Sequence, residues 1–165
     1  MPVAPVLLYP DPRLKQRCAP VDDPALAVRV AADLVDTMRS HPRCVGLAAP
    51  QLGALVRVVA LDVTGHPKAE SCAGLVVLVN PAIVRAEGDE LGREGCLSIP
   101  DLTANVRRAT LVAVEAVTPA GEPVAFRATG FEARVVQHEL DHLDGVLFLD
   151  RVASRHDLFA RRSYG

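Results

Sequence analysis

The sequence lacks any long apolar run, although 50% of its 165 residues are hydrophobic. A helix that spans a bilayer needs about 20 consecutive apolar residues. No uninterrupted stretch of this chain approaches that length. The sequence therefore predicts a soluble protein and no membrane partner.

The sequence also lacks an excess of charge of either sign. Its 18 basic and 20 acidic residues give a formal net charge of −2. Without a global positive field, direct binding of nucleic acid is not expected. Residues 1–17 contain no basic segment followed by an apolar core, so they do not resemble a secretory signal. The expected location is the cytoplasm.

Closely spaced cysteine pairs are absent as well. The four cysteines are widely separated and form no CxxC pair: Cys18, Cys44, Cys72 and Cys96. This pattern argues against a disulfide scaffold and against a four-cysteine zinc site. At least one thiol is therefore available for chemistry.

The chain length predicts a single domain over residues 1–165, because it suffices for one hydrophobic core and is too short for two domains. Asp23-Pro24 is a typical helix start, and apolar residues then recur every four positions, which predicts a helix over about 24–39. Short β-rich runs predict antiparallel strands at 56–61, 75–79, 111–117 and 123–128. Segment 64–74 is interpreted as a surface loop of no evident function, and the tail 151–165 as a short surface helix.

A second helix, predicted after Gly130, carries two histidines four residues apart. On a helix, His138 and His142 differ in direction by only about 40°, so both imidazoles can reach one ion. Glu139 lies beside this pair, close enough to act on a water next to the ion. The same face is predicted to hold Phe131, Val135 and Val146, and Gly145 is where the helix is expected to end.

A catalytic metal site usually offers three protein ligands, so a third is needed. The position six residues after His142 is Phe148, which does not fit the longer three-histidine signature. His156 lies in a polar tail, so Cys96, in the turn-rich segment 94–100, is the better candidate. The alternative is that the two histidines are ordinary packed side chains and that Cys96 is a structural cysteine.

Three segments together resemble the peptide deformylase family. Cys44–Gln51 is similar to its glycine-containing segment that ends in Ala-Ala-Pro-Gln, Glu94–Pro100 to its Glu-Gly-Cys-Leu-Ser segment, and Gln137–Gly145 to its Gln-His-Glu segment with a following Asp-His. Tyr9–Leu14 looks like its N-terminal segment, so the resemblance covers most of the chain. The expected fold is α+β, with antiparallel β-sheets packed around a central metal-binding HExxH helix, an N-terminal helix and a short C-terminal helix.

The resemblance implies hydrolysis of the N-formyl group from N-formylmethionyl nascent peptides, with release of formate. It assigns metal ligation to Cys96, His138 and His142, acid/base catalysis to Glu139, and oxyanion donation to Gln51 and the backbone N–H of Leu97. Formylated nascent chains are the expected partners, together with transient ribosome contact. Cys44 stands where the family has glycine, and a positive φ there would cost about 1 kcal/mol.

The resemblance also implies supporting and substrate-binding residues. The family pairs the carboxylate before the Gly-Cys with an arginine, which maps onto Glu94 and Arg108; the alternative is two solvated charges. Backbone groups that would bind the peptide as an added strand map onto Val45, Gly46 and Gly95. A methionine-sized pocket would be walled by Phe131, Val135 and the stem of Arg134, although such residues are more often plain core.

The metal and the substrate leave alternatives open. One sulfur and two imidazoles most simply suggest zinc. The family resemblance implies Fe2+ instead, and Ni2+, Co2+ or Zn2+ could occupy the same ligands. One rival function is a deformylase or amide hydrolase that acts on a formylated small metabolite. Another is a catalytically silent binding protein with this fold, against which the intact set of site residues speaks.

Overall fold

The computed structural model describes residues 5–152 and 154–161, which form an α+β fold. The helices are α1 (Pro24–Arg39) and α2 (Gly130–Leu143). The strands are β1 (Gly46–Ala48), β2 (Val58–Leu61), β3 (Val76–Glu87), β4 (Glu90–Cys96), β5 (Ile99–Arg108), β6 (Leu111–Val117), β7 (Pro123–Thr129) and β8 (Leu158–Ala160). One sheet has the order β1-β2-β3-β6-β7 and the other β4-β5-β8. Neighbouring strands are antiparallel throughout both sheets, as predicted.

The two helices pack on opposite faces of the five-stranded sheet, because successive side chains of a strand point to opposite sides. Val59 and Leu61 of β2 belong to the core formed with α2, whereas Val58 and Ala60 belong to the core formed with α1. A third cluster joins the β4-β5 hairpin to Leu14 and the segment after α2. Neither helix in the described ranges is long and apolar enough to cross a membrane.

Helix α1 has the predicted bounds. The Asp23 carboxylate accepts a hydrogen bond from the Ala25 N–H (2.9 Å), and Pro24 occupies the first helical position. This cap fixes the start of the helix. The prediction of a helix over 24–39 is therefore confirmed.

Strand β3 is longer than the predicted segment 75–79, because a bulge lets it continue through a proline. Asn80 has a φ of 52°, and the register with β6 shifts between Val79 and Ala82. Pro81, which has no N–H to donate, lies in that irregular stretch. The strand thus spans a sequence that breaks the local β pattern.

The predicted C-terminal helix is wrong within the part of the tail that the structure describes. Arg155–Asp157 is a single 3-10 turn, and Leu158–Ala160 is strand β8, paired with Leu102–Ala104 of β5. Inter-strand bonds to β5 therefore satisfy this backbone instead of intrahelical ones. Ala153 and residues 162–165 of that prediction lie outside the described residues.

Candidate metal centre

Cys96, His138 and His142 converge on one point. Their possible ligand atoms all lie within 4.8 Å of one another, and all three residues are buried. Cys96 Sγ is 3.4 Å from His142 Nε2. The histidines come from consecutive turns of α2, whereas the cysteine ends β4. Helix periodicity thus supplies two donors, and long-range strand placement supplies the third.

Glu94 orients His138. His138 Nδ1 donates to Glu94 Oε1 at 2.9 Å, which leaves Nε2 as the nitrogen with a lone pair for an ion. Arg108 Nε donates to Glu94 Oε2 at 2.8 Å, so the structure brings together the carboxylate and the arginine that the family resemblance pairs. Burial alone would raise the pKa of Glu94, but hydrogen bonds from Arg108 and His138 hold it well below its usual range.

Arg134 is the second arginine that donates a hydrogen bond to Glu94, and the sequence does not reveal this contact. Its Nη1 donates to Glu94 Oε2 (2.9 Å) and to the Val106 carbonyl (2.7 Å), and its Nη2 donates to the Glu90 carbonyl (2.8 Å). A Cβ at Gly92 would lie 2.7 Å from the guanidinium carbon, so a larger residue there would have to displace the guanidinium. Arg134 lines the cavity, and its charged end joins α2 to the β4-β5 hairpin.

Glu139 is a buried carboxylate beside the ligand cluster. Its Oε1 has no hydrogen-bond partner among the described residues. Gly46 of β1 lies against the other oxygen, since a Cβ at that position would be 2.6 Å from Oε2. Burial raises the pKa of Glu139 to about 7, against the opposing positive charge of His138. Such a group is suited to accept and return a proton near neutral pH.

The two histidines have opposite electrostatic settings. Burial disfavours charge on His138, but the Glu139 carboxylate and the hydrogen bonds that His138 makes with Cys96 and Glu94 raise its pKa well above the ordinary value, so an ion bound at Nε2 would have to displace a proton from it. Burial and the charge of His138 lower the pKa of His142 well below that value. His142 is therefore held neutral, which is the state that a metal ligand needs.

Gln51 is fixed with its NH2 group toward the cluster. Its Oε1 accepts from the Ala48 N–H at 2.9 Å, and its Nε2 donates to Ser98 Oγ at 3.0 Å. The same Nε2 is 3.5 Å from Cys96 Sγ. Leu97 follows in the tight turn between β4 and β5 and lines the same cavity. Ser98 is the orienting residue that the sequence prediction missed.

A cavity of about 370 Å³ opens beside the cluster. The structure places all six predicted substrate-binding residues on its wall: Val45, Gly46, Gly95, Phe131, Arg134 and Val135. His66 also lines it and stacks on Phe131, with ring centroids 4.0 Å apart. The interpretation of segment 64–74 as a loop of no evident function is therefore incomplete, because part of that loop walls the cavity.

Cys44 stands where the family has glycine, but its backbone is not strained by a positive φ. Among the described residues other than glycine, only Asn80 has a positive φ. The Cys44 thiol donates to the Gly46 carbonyl at 3.1 Å. Burial and the nearby Glu139 carboxylate raise its pKa to about 12, so the thiol stays protonated at neutral pH.

A thiol and two imidazoles, a buried carboxylate and an oriented amide around one cavity are the constellation of a metal-dependent hydrolase. The polypeptide deformylase family model matches residues 3–157. A peptide deformylase from Thermomicrobium roseum is 42% identical over 160 residues, covering 96% of this chain and 90% of the relative. Peptide deformylase 2 from Vibrio cholerae is 41% identical over 150 residues, covering 91% and 86%.

The structural comparison agrees. A crystal structure of a class I type b peptide deformylase from Acinetobacter baumannii, bound to Met-Ala-Ser, superimposes with a TM-score of 0.82 and 38% identity. It covers 92% of this chain and 99% of that one. The chain therefore belongs to the polypeptide deformylase family, hydrolases of linear amides that remove the N-formyl group from nascent peptides.

Proposed function

We propose that this chain deformylates N-formylmethionyl peptides with one divalent metal ion held by Cys96, His138 and His142. The observation that carries the proposal is the convergence of these three buried donors beside Glu139 and above one cavity. In this proposal α2 is the central metal-binding HExxH helix, and residues 1–165 form a single catalytic domain.

The donor set fits a metal ion. One sulfur and two imidazole nitrogens leave a fourth tetrahedral position open, and His138 already has the carboxylate partner that metal-bound histidines usually have. Glu139 Oε1 is buried and has no hydrogen-bond partner among the described residues. A further polar group bound at the site would supply that partner. We propose Fe2+ as the ion, with Zn2+, Ni2+ and Co2+ as ions that the same ligands accept.

In the proposed reaction, Glu139 moves the protons. When bound, a divalent ion supplies the Lewis acidity that lowers the pKa of the attacking water and polarises the formyl carbonyl. Glu139 accepts a proton from this water as the water oxygen attacks the formyl carbon. Glu139 then gives that proton to the leaving amine. The C–N bond breaks, and the products are formate and a peptide with a free methionine amino group.

Gln51 and Leu97 are proposed to stabilise the negative charge that develops on the formyl oxygen. The Gln51 carboxamide is already oriented by Ala48 and Ser98, so little reorganisation is needed when the charge appears. The backbone N–H of Leu97 is the second proposed donor. A single well-placed donor of this kind is worth roughly 3 kcal/mol of transition-state stabilisation.

The cavity favours a peptide over a small formylated metabolite. β1 and β4 are edge strands of their sheets, and both line the cavity through Gly46 and Gly95. An extended peptide can add between such edges by backbone hydrogen bonds. Phe131 and Val135 would then hold the methionine side chain. The Acinetobacter relative, whose crystal structure contains Met-Ala-Ser, supports a peptide substrate.

We infer from these features that the natural substrates are nascent chains that still carry the formyl group. Transient contact with the ribosome and a cytoplasmic location follow from that substrate. Both belong to the proposal.

Anaerobically purified protein, loaded with Fe2+ or Ni2+, tests the function directly. Formate release from formyl-Met-Ala-Ser is expected, and the Glu139→Ala variant should bind one metal ion but lose at least about 100-fold in kcat, since its acid/base group is gone. Glu115→Ala, which removes an exposed carboxylate from β6, is the matched control and should keep full activity. Absence of formate release from both metal-loaded samples would contradict the proposal.

A further inference from the structure

The loop over residues 64–74, between β2 and β3, is bound to the start of α2. Glu132 of α2 is buried, and its carboxylate accepts hydrogen bonds from the Ser71 hydroxyl (2.6 Å) and from the Ala73 N–H (2.8 Å). The Ser71 oxygen also accepts from the N–H of Thr129, the last residue of β7, at 3.0 Å. These bonds hold the second half of the loop on the helix. The first half, which lines the cavity, is thereby kept beside α2.

His66, in the first half of this loop, makes an aromatic contact with α2. Its imidazole stacks on the Phe131 ring, with centroids 4.0 Å apart and planes 7° from parallel. The Lys68 N–H donates to His66 Nδ1 at 3.1 Å, so the loop backbone fixes the direction of the imidazole. Partial burial and the nearby charge of Lys68 lower the pKa of His66, so the imidazole that stacks at neutral pH is uncharged.

Phe131 depends on this contact because it lies at the margin of the core. It is the second residue of α2 and is only half-buried, packed against the cluster that α2 forms with the five-stranded sheet. Among the described residues, His66 supplies the one ring that stacks on it. A side chain with an open face can take other rotamers, so the imidazole restricts Phe131 to the orientation that the structure shows.

The Phe131 ring is part of the proposed methionine pocket. Phe131 and Val135 are one turn of α2 apart, so they share a helix face, and both line the cavity together with His66. A methionine sulfur gains a favourable contact with an aromatic ring when the ring is about 5 Å away. A ring that is already held in place also loses less conformational freedom when a side chain binds to it. The stack therefore affects how strongly the pocket binds methionine.

We propose that His66 is a positioning residue that holds the Phe131 ring and thereby sets the preference for methionine over smaller side chains at the first position of the substrate. The proposal rests on the proposed function, because it concerns the pocket for the same peptide. His66 acts on KM and not on the chemical step, since it is not among the groups that move protons or stabilise the formyl oxygen.

The test compares formyl-Met-Ala-Ser with formyl-Ala-Ala-Ser, whose first side chain is a single methyl group that gains little from the ring. For nickel-loaded His66→Ala, KM for the methionine peptide is expected to rise about fivefold with kcat unchanged. For the alanine peptide, kcat/KM should change by less than about twofold, so the ratio of kcat/KM between the two peptides falls. A loss of folded enzyme would lower both values equally and leave this ratio unchanged.

Two substitutions separate the ring stack from the hydrogen bond within the loop. His66→Phe keeps a ring against Phe131 but removes the acceptor of the Lys68 N–H, and it should retain the original ratio within about twofold. His66→Asn keeps an acceptor two residues before that N–H, as in an Asx turn, but has no ring, and it should behave like His66→Ala. His156→Ala, at an exposed histidine of the tail, is the matched control and should change neither KM nor kcat.

Three results would overturn the role of His66 and leave the proposed function intact. They are an unchanged ratio in His66→Ala, loss of the methionine preference in His66→Phe, and a fall in kcat with KM unchanged. If the unsubstituted enzyme hydrolyses no formyl-Met peptide, the proposed function itself fails.

Discussion

Glu94 is not a proposed metal ligand, but it holds the side chains around the metal site in place. One carboxylate accepts hydrogen bonds from His138, Arg108 and Arg134. Removal of it would leave two buried arginines without their shared counter-charge and His138 without a fixed orientation.

Glu94→Ala is therefore expected to lower the free energy of unfolding of the apoprotein by about 3–5 kcal/mol, the usual cost of breaking a buried ion pair. Metal affinity of the folded fraction should fall by about 10–100-fold. Urea denaturation and competition with a coloured chelator measure the two effects. Glu90→Ala, at an exposed position of the same strand, should change neither quantity appreciably. Unaltered stability of Glu94→Ala would show that the network is not cooperative.

The turn after α2 packs tightly against the N-terminal segment at Gly145, and this contact fixes the position of the helix end. This residue has a φ of +73°, and a Cβ there would lie 2.6 Å from the Lys15 carbonyl oxygen. The nearby Cys18 N–H donates to the Leu143 carbonyl (2.8 Å), so the two segments cannot easily move apart.

Gly145→Ala is expected to destabilise the protein by about 2–4 kcal/mol, from positive φ together with the backbone clash. Gly121→Ala is the matched control, because Gly121 also has a positive φ (+88°) but nothing lies within 4 Å of its added Cβ. That variant should cost only about 1 kcal/mol. Thermal melts of the two variants decide the matter, and equal losses would show that the contact with Lys15 is readily relieved.

The elements with strong local signals were the predictable ones. α1 has a capped start and regular apolar spacing, and β6 has the predicted bounds of 111–117. β4 contains two glycines and three charged residues, and β1 is only three residues long. These strands exist because of their partners, which no local pattern encodes. The same limit explains why β8 was mistaken for a helix.

At the site, motif spacing and family resemblance indicated which residues to consider, and the structure brings them together. Sequence patterns did not reveal the bond from Gln51 to Ser98 or the stacking of His66 on Phe131. Both contacts join segments that are distant in the chain and carry no motif of their own. The roles of these residues stay predictions until the variants are measured.

At the scale of the whole molecule, several carboxylates favour the folded state only when they are ionised. The pKa of Glu94 is lowered mainly by Arg108 once the opposing effect of burial is overcome, and that of Asp62 is lowered by hydrogen bonding from Thr64. A group whose pKa is lower in the folded state binds fewer protons there than in the unfolded chain. The stability that Glu94 and Asp62 contribute should thus be fully present above the unfolded value of about 4 and be lost as the pH falls through and below it.

The apoprotein is accordingly expected to melt at progressively lower temperature from about pH 5 to pH 3. Glu94→Gln should flatten this dependence, because the substituted side chain has no proton to gain. Differential scanning calorimetry at constant ionic strength measures both slopes. Parallel slopes for the two proteins would mean that Glu94 does not govern acid unfolding.

Each sheet has an edge strand that lines the cavity: β1 in the five-stranded sheet and β4 in the three-stranded sheet. An open edge is ordinarily a template on which further chains can assemble into aggregates. Here both edges line the same cavity, β1 through Gly46 and β4 through Gly95. A peptide strand that paired with both edges would leave neither of them open. The arrangement proposed to bind a nascent chain would therefore accept one added strand and offer no free edge at this place for a second.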